Sequence, residues 1–292
     1  MSWKFELVAG PFEGPANGVV WHEDAIVFSL MEDQKLMRFD PKTRKTAEMR
    51  KYTNRVNGLA VGRGGELFGS QEGGRRLVQF SPDGRMFAVH ALLDGKHHNQ
   101  PTDLVVDAKD RIWFADPHSE TIAFGPQIFP YLPTASVLRL HRDDRRAWKN
   151  TRITFDTVAP RAVLLSPDEK TLYVAEGEPK ASQVRELRAY PVNADGSVGS
   201  YRLMHSFGSD HRGPHRGIEG MCLDAKGNVV AVGGWRKSGP GPLVHVFAPS
   251  GAVIATHELP GDMPNRCCFG GTAHDTLYVT TAAGELYAAK AG

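Results

Sequence analysis

Cysteine is scarce in this chain: Cys222, Cys267 and Cys268 are the three among 292 residues. Their number and spacing exclude a disulfide framework or a Cys-based zinc site. The adjacent pair reads as buried strand residues, with a redox device as the alternative. An excess of one charge is also lacking, since 35 basic side chains face 33 acidic ones for a net +2. No polyanion such as nucleic acid is therefore expected as a partner. No apolar run reaches the roughly 18 residues of a membrane span. The opening MSWKFELVAGPFEG lacks the charged segment, apolar stretch and cleavage site of a secretion signal. These absences leave the expectation of a cytoplasmic protein, a monomer or small homo-oligomer, whose partner is a small molecule.

What is abundant is the pair of chain breakers, 31 Gly and 19 Pro, about one residue in six, against roughly 12% in average usage. With 41% hydrophobic residues, this describes a well-cored protein of short elements. One pattern recurs: an apolar run, a polar turn with Asp or Gly, then a second apolar run. Its instances are GVVWHEDAIVFSL, GLAVGRGGELFGS, DLVVDAKDRIWFAD, AVLLSPDEKTLYVAE, GMCLDAKGNVVAVGG and CCFGGTAHDTLYVTT. Each reads as a β-hairpin, and a third run such as KLMRFDP or LVHVFAPSG usually follows as an outer strand. The residues before the turns, Trp21, Val61, Val106, Leu165, Leu223 and Phe269, are separated by 40, 45, 59, 58 and 46 residues. That period, with three or four strands per unit, predicts an all-β six-bladed β-propeller occupying residues 1–292 as one domain; a β-sandwich or paired barrels is the alternative. The long gaps put insertions in blades three and four. The first, at 118–136, carries Phe124, Ile128, Phe129, Tyr131 and Leu132, either a satellite core or an apolar wall over a ligand site.

The first strand of each propeller blade lines the central channel, so the residues opening the first apolar runs face one axis. They are Asn17, Asn57, Thr102 with Asp103, Arg161, Glu219, and Asn265 with Arg266. Singly, each polar group could merely satisfy strand-end backbone and buried water. Together, two carboxylates, two Arg and three Asn suit a hard-cation or polar-substrate site.

The segments FEGP at 12–15, NGLAV at 57–61, TDLVVDAKDRIWFADP at 102–117, LLSPDEKTLYVAE at 164–176, GMCLDAKGN at 220–228 and CCFGGTAHDTLYVTTA at 267–282 carry a resemblance over the full length. The chain resembles the SMP-30/gluconolactonase/LRE group of six-bladed propellers, which includes lactonases. The resemblance implies a divalent cation, commonly Ca²⁺ or Zn²⁺, held by one Glu, one or two Asn and one Asp, polarising a lactone carbonyl and activating water. Carried over residue by residue, the metal ligands would be Glu13 of the EGP motif or Asn17, together with Glu219. Four positions depart from the pattern: Glu13 and Asn17 compete for one place, Thr102 replaces an Asn, Arg161 replaces the Asn of an expected PNG, and Glu219 replaces an Asp. A guanidinium has no lone pair for a metal. Arg161 therefore binds a substrate anion or oxyanion in a metal-free site, coexists with shifted ligands, or pairs with Glu219. His97, His98, His118, His211 and His215 are candidate replacement ligands.

The expected activity is hydrolysis of a lactone or similar cyclic ester, with Glu219 or Asp103 as base and a metal or Arg161 stabilising the oxyanion. Asn57, Thr102, His118, Asn265, Arg266, Phe129 and Tyr131 are the expected substrate contacts, for an anionic substrate with an apolar part. A lyase or isomerase on the same fold, or a non-catalytic ligand-binding propeller, stands as the alternative. No phosphate loop or G-x-S-x-G elbow occurs.

Overall fold

The computed structural model describes residues 2–89, 92–118 and 130–291. Six four-stranded antiparallel sheets follow one another as blades around an axis, and the described residues contain no helix. The innermost strands are Ala16–His22, Val56–Val61, Asp103–Val106, Pro160–Leu165, Ile218–Leu223 and Pro264–Gly270. The expected six-bladed propeller is thus present, and each of the marker residues lies in an innermost strand. The ring closes through a strand that the repeat pattern does not announce: Glu6–Ala9 is the outermost strand of blade six, pairing with Leu286–Lys290.

The second strands explain why the apolar runs are continuous rather than alternating. Ala25–Leu30 is buried throughout, because each blade is covered on both faces by its neighbours. Phe28 packs toward blade six with Tyr278, whereas Val27 packs toward blade two with Val56 and Leu67. Six clusters of this kind fill the six gaps between blades. Blade three shows the same two-sided burial, with Ile112 and Phe114 facing blade two and Trp113 facing blade four. Cys222 and Cys267 sit in one such gap with their sulfurs 3.5 Å apart.

The channel has two unlike ends. Where the innermost strands finish, a cavity of about 410 Å³ is lined by aliphatic side chains including Val20, Val61, Val106, Leu165 and Leu223, with Asp103 and Arg266 at its inner end. Where the strands begin, the polar residues gather.

Candidate active site at the channel mouth

The innermost strands deliver their first side chains to the axis through a repeated irregularity. In five blades the pairing register of the first and second strands shifts where the polar residue sits: at Asn17, Asn57, Arg161, Glu219 and Asn265. A bulge of this kind re-aims a side chain without ending the strand. In three of these blades Gly follows, and its lack of a side chain is required. A Cβ on Gly18 would lie 2.3 Å from Asn57 O, on Gly58 2.6 Å from Thr102 O, and on Gly220 2.6 Å from Asn265 O. The dipeptides Asn-Gly, Asn-Gly and Glu-Gly therefore pair an axis-facing polar group with close approach of the next strand.

A chain of hydrogen bonds fixes the ring's amides. Arg216 Nη2 donates to Asn265 Oδ1 at 3.0 Å, and Asn265 Nδ2 donates to Ala16 O at 2.9 Å and to Asn17 Oδ1 at 3.1 Å. On the other side Asn57 Nδ2 donates to Glu72 Oε1 at 2.6 Å. Because guanidinium and carboxylate have single roles as donor and acceptor, both amide orientations are determined. Two buried valences are left over: among the described residues Asn17 Nδ2 has no acceptor and Asn57 Oδ1 has no donor. Each such group costs about 1–3 kcal/mol unless a ligand or water satisfies it.

Arg161 and Glu219 meet at the mouth. Arg161 Nη2 and Nε lie 2.9 and 3.2 Å from Glu219 Oε2, with Glu178 Oε1 3.7 Å from Nη1. Arg161 keeps 26% of its side chain exposed against 7% for Glu219, and its Nη1 makes no hydrogen bond among the described residues. Burial alone would raise the Glu219 carboxyl, but the charges of Arg161, Arg216 and Arg266 outweigh it and hold the group at about 2. The same attraction raises Arg161. So acidic a carboxyl is a weak proton acceptor near neutrality. Glu72 is the opposite case: burial raises it above the usual carboxylate range, only partly offset by the Asn57 hydrogen bond and the charges of Arg55, Arg161 and Arg266.

Arg266 braces the channel. Its Nη1 donates to Glu219 O and to Asn265 O, its Nη2 to Thr102 O at 3.1 Å and Arg161 O at 3.4 Å, and its Nε faces Asp103 Oδ1 at 3.3 Å. Four blades are joined by one guanidinium, whose Nη1 and Nη2 donate within the chain instead of facing a substrate. Asp103 also accepts from Val163 N at 3.0 Å, and burial raises its pKa. Thr102 Oγ1 donates to Arg161 O at 3.3 Å.

The residues at the mouth do not fit a divalent cation. Among the described residues no three His, Cys, Asp or Glu side chains cluster as ligands. The amide oxygens of Asn17 and Asn265 already accept hydrogen bonds, and Glu219 faces guanidinia at both oxygens. A dication about 4 Å from a guanidinium is repelled by roughly 8 kcal/mol at an effective dielectric of about 20. Glu13 is exposed in the loop before the first inner strand and makes no hydrogen bond or ion pair among the described residues. The histidines do not converge either. His98 is buried against Phe114 with its Nε2 2.8 Å from Asn150 Nδ2, His215 lies 3.7 Å from Asp210, and His118 is bonded to Leu132 O at 2.9 Å.

Of the insertion's expected contacts, Phe129 lies outside the described residues. Tyr131 stacks under Arg75, whose Cζ is 4.7 Å from the ring centre. Arg75 in turn donates to the carbonyls of His98, Asn99 and Pro130. Sequence reasoning missed Arg216, just before an innermost strand, and Glu72 and Arg75, in the turn between the second and third strands of blade two. The position of Glu72, directly after the second strand Leu67–Gln71, was the available signal.

The fold and this mouth define a six-bladed propeller with a buried, charged and amide-lined site at one end of its channel. Residues 15–283 match the SMP-30/Gluconolactonase/LRE-like region, and the chain belongs to that family. A gluconolactonase of Zymomonas mobilis is 27% identical over 232 residues, covering 77% of this chain but only 60% of the relative's length. A pentonolactonase of Haloferax volcanii is 24% identical, covering 92% of this chain and 82% of its own. Among solved structures, a gluconolactonase of Xanthomonas campestris superposes with a TM-score of 0.82 at 25% identity, covering 99% of this chain and 90% of that one.

Proposed function

We propose that the chain hydrolyses a small hydroxylated lactone at the channel mouth. The observation that carries this is Arg161: a partly exposed guanidinium held from behind by Glu219, with Nη1 free of hydrogen bonds among the described residues. Such a fixed donor suits the oxygen of a lactone carbonyl and the oxyanion that forms from it. Water adds to the carbonyl carbon and its proton passes to Glu72, which burial makes a better proton acceptor than Glu219. The ring C–O bond then breaks, and the departing alkoxide takes that proton back to give the hydroxy acid. The unfilled donor of Asn17 and acceptor of Asn57 match a substrate hydroxyl, which both accepts and donates. The names of the lactonase relatives support the same reaction class. The reading includes a cytoplasmic setting, and a preference for substrates bearing a negative charge that Arg161 can meet.

The test is a panel of aldonolactones followed by proton release. Arg161→Ala is expected to lower kcat/KM at least tenfold, and unchanged kinetics would remove Arg161 from the reaction. Product mass separates the alternatives, because hydrolysis adds a water and isomerisation or elimination does not. No turnover across the panel would leave a ligand-binding propeller.

A further inference from the structure

We propose that the Arg161 guanidinium stands where the family resemblance places a divalent cation, so that the channel mouth of this chain is metal-free and one side chain decides it. The inference concerns the same site as the proposed reaction but does not depend on the reaction being lactone hydrolysis.

The donor inventory supports it. Of the three ring amides, Asn17 gives its oxygen to Asn265, Asn265 gives its own to Arg216, and Asn57 alone keeps a buried oxygen without a donor among the described residues. Of the two axis-facing carboxylates, Asp103 is occupied by Arg266 and Val163 N, and Glu219 has Arg161 on Oε2 and Arg216 3.4 Å from Oε1. A cation entering here would have to displace a guanidinium from a carboxylate that burial prevents from being solvated. The charge such a cation would bring is already present in Arg161, anchored on Glu219 and flanked by Glu178. Replacing Arg161 by a short oxygen donor removes the positive charge, frees Glu219 Oε2 and adds a ligand beside it. Residue 161 and Glu219 then offer adjacent oxygens to a hard cation that completes its shell with water.

The experiment is calorimetric titration of Ca²⁺ and of Mn²⁺ into the wild-type chain, Arg161→Asn, Arg161→Asp and Glu219→Gln, without substrate. The expected result is no saturable site at the mouth of the wild type, and one site in Arg161→Asn or Arg161→Asp with at least tenfold tighter binding and a matching rise in Tm. Wild-type binding that persists in Glu219→Gln lies elsewhere and agrees with a metal-free mouth. One equivalent bound by the wild type and lost in Glu219→Gln would overturn the proposal. So would the absence of binding in both Arg161 variants when circular dichroism and a cooperative melt show them folded. Because no turnover is measured, a chain that hydrolyses no lactone still tests the metal-free mouth.

Discussion

Arg161 Nε and Nη2 converge on one oxygen of Glu219, while the other oxygen faces Arg216 Nε at 3.4 Å. Glu219 thus neutralises charge on two sides while Arg161 keeps an edge toward solvent. Glu219→Gln leaves Arg216 without its anion and Arg161 with only Glu178 at 3.7 Å, and breaking a buried pair costs about 3–5 kcal/mol; the exposure of Arg161 puts the expected loss at the lower end. Its folded carboxyl lies near 2, below the ordinary 4.5. The stabilisation from ionised Glu219 is therefore complete above pH 4.5 and disappears as pH falls toward 2. Urea titrations at pH 3 and pH 7 should show a smaller loss on acidification in Glu219→Gln than in the wild type. Equal losses would show that the carboxylate is not held ionised by its neighbours.

Gly58 offers a purely steric prediction. An alanine Cβ there would meet Thr102 O at 2.6 Å and Asp103 Cα at 2.9 Å, both backbone atoms of the next blade. Gly58→Ala must push two innermost strands apart and should cost about 1–3 kcal/mol. Gly208, where an added Cβ would meet nothing within 4 Å, is the control, and Gly208→Ala should stay within about 0.5 kcal/mol of the wild type. Melting curves of the two variants make the comparison, and equal Tm values would contradict the close packing at Gly58.

The propeller was legible because each hairpin repeats the same burial problem at a regular spacing: Val27 and Phe28 are both buried, on opposite faces, so the run Ala25–Leu30 is apolar throughout. The axis-facing residues were legible for the same reason, each opening its repeat. What the linear pattern could not supply was the partner of each group. Arg266 looks like a substrate-facing charge until its donors are traced to four backbone carbonyls contributed by separate blades. Glu72 begins no repeat, and its place beside Asn57 arises from the bulge that turns Asn57 toward it. The closing strand Glu6–Ala9 is short and half exposed, so it carries little apolar pattern to read.

The brace at Arg266 predicts a large stability effect. Arg266→Met removes donors from those carbonyls and leaves Asp103, already raised by burial, without its counter-charge. The expected cost is about 3–5 kcal/mol in urea denaturation. Adding Asp103→Asn should recover part of it, because the stranded charge disappears while the carbonyls remain unsatisfied. Additive losses in the double variant would show that the two side chains do not interact.

Asp116 sets the last expectation, at the opposite end of the pH range from Glu219. It is fully buried at the end of the second strand of blade three, accepting from Asn99 N at 2.8 Å through Oδ2 while Oδ1 has no partner among the described residues. Burial raises its pKa to about 7, against the lowering influence of the Asn99 and Gln100 amides and the Arg75 charge. A carboxyl whose folded pKa lies above its unfolded value stabilises fully while protonated in both states, below about pH 4, and that contribution is lost as pH climbs toward 7. At about 1.36 kcal/mol per unit the loss is on the order of 4 kcal/mol. Asp116→Asn keeps an acceptor for Asn99 N and cannot ionise, so its stability should decline less between pH 4.5 and 7.5 than that of the wild type. Parallel profiles for the two proteins would place the ionisation outside this window and show that Asp116 is charged in the folded chain.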